Sequence, residues 1–248
     1  MFKKVEPLTK DNHQDLRFTP VNNFSFAEKI STAPLSFSEI AVASKFYPIV
    51  FLKDAGLPAA ILSLEKEKNG FVTPEGNWKV PYVPAHFRGY PFLLARMADA
   101  PESDKGGNSG KASGDSDPAK AREEKFLLCI DRDASHFAAP QGELMFTANG
   151  EFTDLVTKRL EFLKALQTEI NTTSALVRIM REKDVLAERS FMLNVNGQNV
   201  PVGGFSVVDM QKVNALDDAL LADWVRKGVI ALIAAHLNSI AGIPMAQQ

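Results

Sequence analysis

Five side chains in this sequence are of types that bind or transform ligands, at positions a fold could gather. His86, Arg88 and Tyr90 lie in NWKVPYVPAHFRGYPF (residues 77–92), and Asp131 and Asp209 end the apolar runs FLLCID and FSVVD. An imidazole and two carboxylates could move protons, and a guanidinium among aromatic rings could receive an anion. Loops that follow apolar strands often carry such groups. Each also has a plainer use. A carboxylate at the end of a strand caps the turn or helix that follows, as Asp209 would before MQKVNAL. Arg88 stands among Trp78, Tyr82, Phe87, Tyr90 and Phe92, where stacking on a ring or pairing with a buried carboxylate is the commoner role. If its guanidinium is paired in a dry site, Arg88→Ala should cost on the order of 3–5 kcal/mol.

The spacings that define common sites are broken. Gly106-Gly107-Asn108-Ser109-Gly110-Lys111 places three residues between Gly106 and Gly110, where a phosphate loop needs four, and Ala112 follows the lysine instead of Ser or Thr. His13, His86, His136 and His236 form no HExxH or His-x-His pattern, and the one cysteine, Cys129, sits in mid-run with no neighbouring base. His236 lies in an apolar helical stretch and reads as a hydrogen-bonded core or interface histidine. No GxSxG surrounds a serine. Residues 131–142 open like a calcium loop, but His136 and Gly142 occupy the positions that need glycine and glutamate. The sequence predicts no cofactor and no metal.

These residues must be positioned by the elements around them. Pro81, Pro84 and Pro91 favour extended or edge-strand backbone over helix in 77–92, and its aromatic residues are expected to set a core. YPIVFL (47–52) and LPAAILSL (57–64) read as neighbouring strands, and FLLARM (92–97) and FLLCID (126–131) as two more. Residues 99–125 between the latter are rich in Gly, Ser, Asp, Lys and Ala, with no aromatic or large aliphatic residue. Such a segment cannot offset its ordering entropy by burial, so it is predicted to be a disordered insert within one domain. Apolar spacing over 152–185 predicts a long helical region, with Asn171-Thr172-Thr173 expected to split it. FMLNVNGQNVPV is a hairpin about Asn196-Gly197, and helices at 217–227 and 229–240 close the chain, the first stopped by Gly228. Residues 1–45 read as mostly irregular.

Composition narrows the function classes. At 248 residues, 45% hydrophobic and 23% charged, the chain is an ordinary globular protein with enough length for a sizeable core. A net charge of −2 gives no general reason to bind nucleic acid or an anionic membrane. The N-terminus has no apolar signal segment, and 228–248 is too short and too polar for a membrane span. A lone cysteine suits a reducing compartment, so a cytoplasmic location is expected. The last helix is apolar nearly all round, which predicts burial in the monomer with a contribution to a homodimer.

YVPAHFRGYPF, FLLCID, GELMFTANGEFT, VGGFSVVDMQKVNAL and GVIALIAAHLNSI, with the opening VEPLTKDNHQDLRF and SFAEKISTAPLSFSEIAVASKFYPIVF, resemble the bacterial SapC family in order along nearly the whole chain. The insert 99–125 departs from the shorter connection usual there. The resemblance implies an association with surface-layer export or with nutrient-uptake loci, and no set of catalytic residues. From the residues we expect a single α+β domain, a mostly antiparallel β-rich portion with the C-terminal helices packed on it. The expected function is that of a non-catalytic cytoplasmic accessory or binding protein with a protein partner. The alternative is an enzyme, or an enzyme's partner subunit, using Arg88, His86, Asp131 and Asp209.

Overall fold

A computed structural model describes residues 1–53, 55–96, 126–195, 198–241 and 243. The predicted insert at 99–125 lies outside the described residues. In chain order the strands are β1 (Val5–Pro7), β2 (Arg17–Phe18), β3 (Thr32–Pro34), β4 (Ile49–Leu52), β5 (Pro58–Ile61), β6 (Phe92–Arg96), β7 (Phe126–Asp131), β8 (Glu143–Leu144), β9 (Leu186–Val195) and β10 (Gln198–Val208). The α-helices are α1 (Lys10–His13), α2 (Phe37–Ala43), α3 (Ala85–Arg88), α4 (Asp154–Glu182), α5 (Met210–Asn214), α6 (Asp218–Lys227) and α7 (Val229–Ile240). Every strand pairing is antiparallel, and C-terminal helix α7 packs on β4 and β10. This is the α+β class the sequence predicts. By their contacts the residues fall into two compact units.

The first unit holds Met1, Asn22–Arg88 and Lys164–Gln248. Its five-stranded sheet has the order β3-β5-β4-β10-β9. The apolar run YPIVFL makes β4 a central strand, buried from Ile49 to Phe51. It pairs with β5 from Ile49 to Phe51 on one side, as expected, but with β10 only at Phe205↔Leu52 and Ser206↔Phe51. Beyond that point α7 takes over the strand groups. His236 Nδ1 donates to the Ile49 carbonyl at 2.7 Å and Nε2 accepts from Val208 N–H at 3.1 Å, while Ser239 Oγ accepts from Ile49 N–H at 2.9 Å. His236 is thus the core histidine the sequence suggests, and its partners fix the neutral tautomer protonated at Nδ1.

Helix α6 stops at Gly228, whose φ of +84° suits glycine, and a Cβ there would meet Phe37 Cζ at 2.7 Å. Val229, Leu232, Ile233 and Ile240 of α7 are buried, so its apolar faces are taken up within this unit. The ribbon β9–β10 brings Val195 opposite Gln198, leaving the expected two-residue connection Asn196-Gly197, whose own conformation lies outside the described residues. A bulge at Gly203-Gly204, with φ +95° at Gly204, then shifts the register.

The second unit holds Phe2–Val21 and Gly89–Leu163. Its sheets are β1-β7-β6 and β2-β8. FLLARM and FLLCID do pair, Phe92↔Ile130 through Arg96↔Phe126, and β1 adds to the free edge of β7. Phe18, Phe92, Ile130 and Met145 are fully buried here.

Three expectations change. Helix α4 runs unbroken through Asn171-Thr172-Thr173, because Thr168, Thr172 and Thr173 return their hydroxyls to the carbonyls of Lys164, Thr168 and Glu169. The stretch 77–92 is not wholly extended: Pro84 leads into α3, a position where its missing N–H costs nothing. The first 45 residues are less irregular than they read, since they supply three short strands and two helices that pair with partners far along the chain.

Candidate functional site

His86 and Arg88 share the short helix α3, beside a charge that the sequence reading did not weigh. Glu39 is 4% exposed. It sits at the third position of α2 in a capping box with Ser36. Its Oε2 accepts from Ser36 N–H at 3.0 Å and Ser36 Oγ at 2.9 Å; its Oε1 accepts from Tyr82 Oη at 2.9 Å and Ala85 N–H at 2.6 Å. One carboxylate therefore starts α2, starts α3 and holds Tyr82. Burial and the neighbouring Glu39 push the Tyr82 phenol well above its ordinary range. Tyr47 Oη donates to the Tyr82 carbonyl and accepts from Trp78 Nε1 at 2.7 Å, and burial raises its pKa to about 12. Trp78 and Tyr82 are thus both tied to Tyr47, and they pack with Phe87 in the core of this unit, as the sequence suggests for the aromatic residues of this stretch.

Arg88 is not in a dry site. It is exposed, with its guanidinium 5.8 Å from the Tyr82 ring centroid. The dry, buried setting expected for Arg88 is therefore corrected: it is a surface cation over the Tyr82 ring. The His86 imidazole is half-buried, and its pKa is lowered by that burial against the opposing pull of Glu39.

In the second unit Tyr90 and Asp131 do come together. Asp131 is fully buried; its Oδ2 accepts from Tyr90 Oη and from Lys3 N–H, each at 3.0 Å, and its Oδ1 from Lys4 N–H at 2.9 Å. It does not cap the turn after β7 with its side chain but clamps the N-terminal strand. Burial first, then this hydrogen bond, raises the Tyr90 pKa. Beside Tyr90, edge-on at 5.4 Å, lies His136, stacked on Phe18. Burial and the nearby Arg159 depress the His136 pKa to about 4, and its Nδ1 has no partner among the described residues. Asp209, assigned to the first unit, is the N-cap of α5, accepting from Gln211 N–H at 2.9 Å and Lys212 N–H at 3.3 Å. Cys129 is buried, and burial raises its thiol pKa, which suits a packing residue rather than a nucleophile.

Within the second unit an open groove of about 750 Å³ contains none of the five candidates. Leu144, Phe146, Phe152 and Leu155 give it apolar walls; Arg17, Glu143, Glu151 and Asp154 stand around it. Sequence reasoning passed over it because its walls come from β8, the 147–151 turn and the start of α4, none of which carries a recognised spacing. Among the described residues no group of His, Cys, Asp and Glu is arranged to hold a metal ion, and no helix is long and apolar enough to cross a membrane.

Antiparallel sheets, buried structural carboxylates and a helix wedged into a split sheet define an α+β protein, with no familiar catalytic constellation among the described residues. The family model of SapC matches residues 8–244, nearly the whole chain, and the chain belongs to the SapC family. No curated protein and no solved structure matches it.

Proposed function

We propose that this chain is a non-catalytic accessory or binding protein of the cytoplasm, acting through a protein partner in surface-layer export or nutrient uptake. One observation carries the reading: the candidate carboxylates serve the fold. Asp131 takes two backbone N–H groups and the Tyr90 hydroxyl, and Asp209 takes two N–H groups of α5. A general base needs a lone pair free to reach a substrate proton; both Asp131 oxygens already face the protein's own donors, and Asp209 commits its Oδ1 to the first turn of α5. The SapC membership supports the setting.

The test is complementation in the native host lacking the gene, with surface-layer assembly and nutrient-limited growth as readouts. His86→Gln, Arg88→Gln, Tyr90→Phe and Asp209→Asn each remove a reactive group while leaving packing or capping in place. All four, confirmed folded, should restore the phenotype as wild type does. Loss of function in a folded variant would move the reading to a catalytic or ligand site around that residue.

A further inference from the structure

We propose that the groove at the start of α4 receives a short segment of a partner protein, one that carries a lysine or arginine beside an aliphatic or aromatic residue. The inference rests on the reading of the chain as a protein-binding accessory and gives that partner a chemistry. Three features of the groove ask for three different things in one occupant. Its walls are apolar: Phe146 is buried, while Leu144, Phe152 and Leu155 are half-buried and still offer surface, with the Phe146 and Phe152 rings 5.2 Å apart. Its rim is acidic: Glu143, Glu151 and Asp154 are exposed, and no described residue pairs with their carboxylates. Arg17, the cation lining the groove, is turned to the Gly142 carbonyl at 3.0 Å, and Lys10 Nζ lies against Gly150 in the adjoining turn, so the rim's three carboxylates still outnumber the two cations.

The third feature is a set of free donors. Thr153 precedes α4 in the N-cap position; its hydroxyl donates to Leu144 O at 3.0 Å, and among the described residues no first-turn N–H of α4 donates to it. Thr157 N–H bonds Thr153 O, yet the N–H groups of Asp154 and Leu155, both lining the groove, meet no acceptor among the described residues. An occupant that matches all three features brings an apolar side chain, a cation and a carbonyl acceptor. A peptide segment with a basic residue has all three. A polyamine lacks the acceptor, and an acidic segment would be repelled by the rim.

Short fluorescent peptides with a Leu-Lys-Leu core, flanked by Ala and Ser, test this on the full chain. Controls carry Leu-Glu-Leu and Ser-Lys-Ser cores, and spermidine serves as competitor. The Leu-Lys-Leu peptide should bind in fluorescence anisotropy, weaken as salt is raised, and shift the amide resonances of Thr147, Glu151 and Leu155. Both controls should bind more weakly. The double variant Glu143→Lys/Glu151→Lys changes exposed side chains only, so it should fold as wild type by circular dichroism yet bind roughly tenfold less tightly. Absence of binding, equal binding of the Leu-Glu-Leu control, displacement by spermidine at matching concentration, or an unchanged affinity in the double variant would each overturn the proposal. The accessory reading would survive any of these, since it stands or falls on complementation by the His86, Arg88, Tyr90 and Asp209 variants.

Discussion

Two residues exchange roles between sequence and structure. Arg88 is the charge most crowded by aromatic neighbours along the chain, but in space its guanidinium is exposed over the Tyr82 ring. The buried charge is Glu39, nearly fifty residues away, which the sequence shows only as the last residue of Ser36-Phe37-Ser38-Glu39. We expect Arg88→Ala to cost no more than about 1 kcal/mol, the range for an exposed cation over a ring. Glu39→Gln, which turns an amide N–H group toward donors that now face oxygen, should cost on the order of 3 kcal/mol. Chemical denaturation of both variants checks the order; a larger loss for Arg88→Ala would reverse it. A second residue-scale expectation concerns acid. In the folded chain burial holds the His236 pKa down at about 4, against its ordinary 6.5. Between those values the unfolded chain binds the proton and the folded chain does not, so stability falls as pH falls from 6.5 toward 4. The full shift corresponds to roughly 3 kcal/mol, and His136, depressed in the same direction, adds to the slope. Denaturation midpoints across that window should therefore drop steadily with acid, and His236→Gln should flatten part of the drop. An unchanged slope in that variant would remove His236 as the cause.

At the scale of elements, the strands with continuous apolar runs were legible, and the short pieces were not. YPIVFL, FLLARM and FLLCID declare themselves because a buried strand needs apolar residues on both faces. A three-residue strand such as β1 or β3 carries no period to read, and its existence depends on an edge supplied from elsewhere in the chain. Asn171-Thr172-Thr173 misleads for a different reason. Polar residues in mid-helix suggest a break, but here threonine hydroxyls satisfy themselves on carbonyls one turn back. Thr173 does more: fully buried, it donates to Glu169 O at 2.6 Å and accepts from Phe37 N–H, in the first turn of α2, at 2.7 Å. Thr173→Val keeps the shape and leaves that N–H without its acceptor, so it should cost about 1–3 kcal/mol. Asn171→Ala, at an exposed position on the same helix, should be neutral or stabilising by a few tenths of a kcal/mol. Urea titrations of the pair separate the two readings: equal losses would mean that the whole tripeptide strains α4 and that no specific cap is at work.

For the whole molecule, what the sequence hid is which distant segments share a unit. The second unit joins Phe2–Val21 to Gly89–Leu163, and the first joins Asn22–Arg88 to Lys164–Gln248. Local periodicity carries no information about that interleaving, which is why Asp131 reads as a cap on its own turn and not as the clamp on Lys3 and Lys4. The single domain expected from the sequence is a proposal that the interleaving makes testable. Helix α4 gives residues 154–163 to one unit and 164–182 to the other, without a break. Helix formation is cooperative along its length, so loss of either end weakens the rest. We expect one calorimetric unfolding transition, with calorimetric and van't Hoff enthalpies in agreement. Ala165→Gly, at an exposed position just past the junction, should lower that transition by about 1 kcal/mol without splitting it. Two resolved transitions in wild type, or a variant in which only one portion of the melt moves, would make the units separate domains joined by a helix.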